Sequence, residues 1–117
     1  MAALKRVVAA GAIVVAGLTM ASCTSAAVSS ARNACRHVTA GLALYHRSLH
    51  ETGIEARRDY QRAVSKILEG QSQAGLAATQ DGSWNALQIG IEEVSRLPLK
   101  NEAPALANVC QQAANGY

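Results

Sequence analysis

Phenylalanine is missing from this 117-residue chain, which holds one tryptophan and three tyrosines. A core without large aromatics has to be filled by Ala, Leu, Val and Ile. Such side chains let helices approach closely but bury little area each, so a small domain gains from a covalent staple. Acid is missing from residues 24 to 50, which carry Arg32, Arg36, Arg47, His37, His46 and His50; every acid lies from Glu51 onward. No segment alternates with period two over a useful length, which excludes a sheet. There is no glycine-rich phosphate loop, nucleophile elbow or paired-carboxylate motif. The cysteines match neither a redox C-x-x-C nor a zinc pattern. The sequence is therefore read as non-catalytic, with no cofactor and no metal.

The start of the chain is the most informative part. Lys5 and Arg6 precede an uncharged run from Val7 to Met20, followed by Ala21-Ser22-Cys23. A basic start, an apolar stretch and small residues before a cut describe a secretory signal peptide. With a cysteine directly after the small pair, the segment resembles a bacterial lipoprotein precursor. The resemblance covers residues 1 to 23 only. It implies a signal peptide over 1–22, a diacylglyceryl group on the Cys23 thiol, and attachment to the outer face of the cell membrane. Two acyl chains give stable anchoring where one gives marginal binding. Ser25-Ala26-Ala27 offers a competing cut after Ala27, which would release a secreted chain without Cys23.

Cleavage before Cys23 leaves 95 residues, enough for one small domain. The net charge of +3 falls with it, because Lys5 and Arg6 leave with the signal. Nine bases then face eight acids, a balance that gives no case for nucleic acid. The odd cysteine count is resolved in the same way. Cys23 takes lipid, and Cys35 and Cys110 remain as a pair that an oxidising compartment would join. Closing a loop of this length is worth on the order of 4–5 kcal/mol.

Residues 24 to 30 read as a polar tether of small side chains, and residues 31 to 117 as the folded domain. Cys35, Val38, Leu42, Tyr45 and Leu49 recur at steps of three and four, the stripe of a buried helix face. Ser29 or Ser30 is placed to cap its start. Gly53 breaks it, and Thr52 with Glu55 has capping-box spacing for a second helix. That helix carries Tyr60, Ala63, Val64, Ile67 and Leu68, and ends near Glu69 or near Ala78. Asp81-Gly82 marks a turn. Trp84, Leu87, Ile91 and Val94 share a face of a third helix that ends near Pro98. Asn101 is placed to cap a fourth, with Leu106, Val109, Cys110 and Ala113 inward. The expected fold is all-α, a disulfide-stapled up-down four-helix bundle. In that topology the start of the first helix and the end of the last share one pole, as a Cys35–Cys110 bond requires.

His46 and His50 have metal-compatible helical spacing, beside Glu51, but no third ligand is placed by sequence, and a boundary position facing solvent is the plainer reading. Arg32 and Arg36 either meet anionic headgroups or offset the negative end of the last helix and the Tyr117 carboxylate. Arg57, Arg58, Arg62 and Lys66 with Asp59 and Glu69 read as a solvated face, and Trp84 as core. The resulting expectation is a lipid-anchored binding or accessory module with an envelope protein partner. The alternatives are a secreted or anchored bundle that holds a small apolar ligand or acts as an inhibitor, and a small envelope enzyme using His46 or His50.

Overall fold

A computed structural model describes the backbone from Ala2 to Gly116 and the side chains from Ser25 to Gly116. All regular structure among the described residues is helical. The helices are α1 (Ala2–Ser48), α2 (Gly53–Leu68), α3 (Gln71–Gln80), α4 (Asn85–Glu93) and α5 (Leu99–Ala114), with a 3-10 turn at Gly82–Trp84. They make four arms, because α2 and α3 form one arm broken at Gly70. The second helix thus stops where the sequence allowed it to stop, then resumes.

From Ser25 onward α1 is the spine. Against it the α2–α3 arm runs antiparallel: Gly41 lies on Ala63 and Ile67, Gly70 on the Ala34 backbone, and the Ser30 hydroxyl donates to Gln80 Oε1 at 3.2 Å. The chain returns through α4, where Gly75 approaches Gln88. It descends again through α5, where Leu106 packs on Gly90. Cys35 and Cys110 are joined, with their Cα atoms 5.4 Å apart. The bond ties the lower part of α1 to the end of α5, as the up-down topology requires.

The core follows the sequence periods. Cys35, Val38, Leu42 and Tyr45 are buried, as are Ala63, Ile67, Trp84, Leu87, Ile91, Val94, Leu106 and Ala113. Tyr60, Val64, Leu68, Val109 and Cys110 pack partly buried against them. Leu49 departs from the stripe and is 61% exposed. The Ser48 hydroxyl donates to the Tyr45 carbonyl at 2.6 Å, and α1 ends there, so Leu49 is no longer carried on its helical face.

The expected ends of the elements need four corrections. The segment from Ser25 to Ser30 is helical, with Ala27, Val28 and Ser30 buried, where a tether was expected. The packed domain therefore begins before residue 31, and neither Ser29 nor Ser30 caps a helix start. Thr52 occupies the N-cap position of α2 but makes no side-chain cap bond; the turn depends instead on Gly53, whose φ of 63° suits glycine. The third helix ends at Glu93, five residues before Pro98. Asn101 lies inside α5, which starts at Leu99; there the Leu99 N–H donates to the Tyr60 hydroxyl at 3.0 Å. A tertiary contact thus satisfies a helix-start donor that no local side chain reaches.

Small residues set the spacing between α1 and its neighbours. A Cβ on Gly41 would lie 2.8 Å from the Ala63 carbonyl oxygen and 2.5 Å from Ile67 Cγ1. One on Gly75 would find its nearest neighbour 3.7 Å away, an ordinary contact. Gly41→Ala is expected to destabilise by about 1–3 kcal/mol through overpacking. Gly75→Ala, within α3, is expected to stabilise by about 0.4–1 kcal/mol. Urea unfolding of both variants checks this; equal effects would contradict the close approach.

Candidate functional site

Two polar regions stand out, at opposite ends of the stretch of α1 from Ser25 to Ser48. The first is a groove of about 660 Å³ at the disulfide pole, lined by Ser25, Val28, Ser29, Arg32, Asn33, Arg36 and Gly116. The polar lining comes mostly from one face of α1, since Ser25, Ser29, Arg32 and Arg36 recur at helical steps. Val28, 8% exposed, forms an apolar wall. Arg32 donates from Nε to the Ala113 carbonyl at 2.8 Å. That carbonyl belongs to the last turn of α5, where it also accepts from the Gly116 N–H at 3.2 Å and the dipole is negative. The structural reading of Arg32 is thus met, and the Tyr117 carboxylate lies outside the described residues.

The second region is the corner between α1 and α2. Asp59 is buried, with Arg47 Nε 3.3 Å from one carboxylate oxygen and Arg62 Nη1 3.3 Å from the other. The expected solvated face of α2 is corrected here. Asp59, Ala63 and Ile67 are buried at steps of four, so Asp59 belongs to the inward row. A buried carboxylate needs such partners, because taking a charge out of water is costly. Glu51 joins this corner. Its carboxyl is held above the ordinary 4.5, first by the hydrogen bond that its protonated form makes with Asp59. Burial and the charges of Asp59 and Glu55 push the same way, and Arg47 opposes them. When Glu51 is ionised its Oε1, shut off from solvent, finds no donor.

On the exposed side of α2, Glu69 accepts from Lys66 at 3.1 Å and lies 3.5 Å from His37 Nδ1. Lys66 first, then His37, hold its carboxyl below the ordinary value. Asp81 is likewise lowered by the Ser83 backbone N–H, which donates to it at 3.0 Å and closes the turn expected at Asp81-Gly82.

The histidines do not converge. His46 is exposed on α1, its ring 5.5 Å from that of Tyr45, and it borders a groove of about 540 Å³ with Leu42, Ala43, Ala107 and Cys110. His50 falls in the turn after α1 ends, so the two do not share a helical face. Among the described residues no three His, Cys, Asp or Glu side chains are grouped to hold a metal ion. Trp84 is 2% exposed and its Nε1 has no hydrogen-bond partner, a core position that costs something for its polar atom. The described grooves are open to solvent. Among the described side chains, the large apolar ones exposed on the surface are Leu49, Ile54, Leu76, Ile89 and Leu97.

Sequence reasoning placed Cys35, Cys110, Arg32 and Trp84 correctly. It missed the Tyr60 cap and the burial of Asp59. The four-residue row from Asp59 to Ile67 was the available signal for the second. Cys23 and its expected lipidation lie outside the described side chains. No known protein family, curated protein or solved structure matches the chain.

The acid corner sets a pH dependence with a definite sign. Below about 4.5 Glu51 is protonated in folded and unfolded chains alike, and its contribution to stability is intact. As pH rises through the raised folded value that contribution is lost, because the ionised carboxylate faces Asp59. Glu51→Gln should therefore raise the thermal midpoint at pH 7 and leave it unchanged near pH 4. Glu69 acts with the opposite sign, its contribution being present above 4.5 and lost as pH falls. Thermal melts of wild type and Glu51→Gln at both pH values check this. A gain of equal size at both would contradict it.

Proposed function

We propose that this chain is an exported lipoprotein, held on the outer face of the cell membrane through Cys23, whose bundle serves as a non-catalytic binding or accessory module. The observation that carries the reading is the cysteine arrangement. Cys35 and Cys110 satisfy one another, and the remaining cysteine directly follows Ala21-Ser22 behind a basic and apolar leader. Export supplies the oxidising compartment in which such a bond persists. The dispersal of His46 and His50 supports a non-catalytic role over a histidine-based one. From Ser25 to Gly116 no helix is long and apolar enough to cross a membrane.

Anchoring in this reading places the bundle directly on the bilayer. Only Thr24 separates Cys23 from Ser25, the first residue of the polar groove. A partner would then meet the far end of the bundle, where Leu49 and Ile54 are exposed beside the α1–α2 turn.

Intact-mass measurement of protein extracted from membranes should find a chain beginning at a diacylated Cys23. Cys23→Ser should move the protein out of the membrane fraction or leave the precursor uncleaved. An unmodified chain beginning at Val28 would reject the anchor in favour of secretion.

A further inference from the structure

We infer that the groove between α1 and the end of α5 is an anion site that receives the phosphate of an anionic phospholipid headgroup, with Arg36 as its principal cation. Two observations carry this. First, the described lining of the groove carries charge of one sign. Arg32 and Arg36 stand four residues apart on one helix, and among the described residues no acidic side chain lines the cavity. Like charges at this spacing repel, and an anion between them relieves that repulsion. Second, the two arginines are differently employed. Arg32 has its Nε committed to the Ala113 carbonyl at 2.8 Å, which orients its guanidinium along the groove. Its Nη2 lies 3.7 Å from where a Cβ on Gly116 would stand, an ordinary contact distance, so the guanidinium runs beside the turn that follows α5. Arg36 lines the same cavity from one turn further along α1.

The remaining lining fits a phosphodiester. Ser25 and Ser29 offer hydroxyl donors and Asn33 an amide donor, all on the α1 side. Guanidinium groups match phosphate oxygens with paired donors. The volume of about 660 Å³ exceeds what an inorganic phosphate fills and leaves room for a glycerol-sized headgroup. Val28 supplies an apolar wall for its carbon atoms.

The choice of lipid over a free anion rests on the anchoring proposed above. Ser25 lies two residues after Cys23, a rise of about 3 Å along a helix, so the groove would open at headgroup level. The anion site itself does not depend on that reading. Its test is independent of Cys23 processing, which the mass measurement reads separately.

The full chain, held in micelles of a neutral maltoside detergent, should be titrated with three probes while backbone amide shifts are followed by NMR. The probes are soluble short-chain phosphatidylglycerol, short-chain phosphatidylcholine and inorganic phosphate. Phosphatidylglycerol should shift the amides of Ser29, Asn33 and Gly116 saturably, and more tightly than either other probe. Arg36→Gln should weaken it about tenfold, the loss of one charge-assisted contact, with the thermal midpoint unchanged because the Arg32–Ala113 bond remains. Arg36→Lys should recover part of the affinity. Phosphate binding at least as tightly as phosphatidylglycerol would overturn the headgroup assignment. Shifts that ignore Arg36→Gln, that never saturate, or that gather on the Arg57 and Arg58 face would overturn the site.

Discussion

The close approach of α1 to the α2–α3 arm is the contact on which the rest of the bundle is built. A chain without phenylalanine cannot fill wide gaps between helices. It narrows them instead, with Gly41 against Ala63 and Ile67, and Gly70 against the Ala34 backbone. Fully buried alanines at 31, 34, 63, 74 and 77 belong to the same core. Close packing of small side chains gains dispersion contacts rather than large buried area. That suffices for the two arms with the longest shared length. α5 is placed differently. Its hold on α1 comes at its end, through the Cys35–Cys110 bond and the Arg32–Ala113 contact, and its start is fixed on α2 by the Tyr60 hydroxyl.

Much of this fold is legible in the sequence, for a physical reason. Helical burial repeats at steps of three and four, and Cys35, Val38, Leu42, Tyr45, Trp84, Leu87, Ile91 and Val94 obey it. What failed was the boundary of several elements. Residues 24 to 30 look like a tether because serine, alanine and threonine dominate them. Small residues also suit close helix packing, and composition alone cannot separate the two uses. Asn101 is a plausible cap by residue type, yet α5 begins earlier because a tyrosine from another arm accepts the Leu99 N–H. Gly70 was visible as a weak point in the second helix. Its reason, the Ala34 backbone pressed against it, is a contact between arms.

The candidate site divides the same way. Arg32 was expected near the last turn of the final helix, and the topology puts it there. The groove it shares with Arg36 depends on where α5 stops. It also depends on Ser25 to Ser30 being helical, which their composition concealed. Asp59 was assigned to a solvated face because charged neighbours surround it in sequence. Its burial between Arg47 and Arg62 reflects the turn between α1 and α2, which brings Arg47 alongside. In the proposed function the two ends of the bundle take different tasks. The disulfide pole faces the lipid, and the α1–α2 corner, with its exposed Leu49 and Ile54, faces outward.

The central claim is that close packing holds α1 to the α2–α3 arm while the disulfide holds α5. Amide hydrogen exchange of the oxidised and the reduced protein, compared residue by residue, tests it most directly. Reduction should strip protection from the second half of α5, from Leu106 to Ala113, while α1 from Val38 to Tyr45 and α2 from Tyr60 to Ile67 keep theirs. Protection lost evenly across all four arms, or lost first from α2, would contradict it.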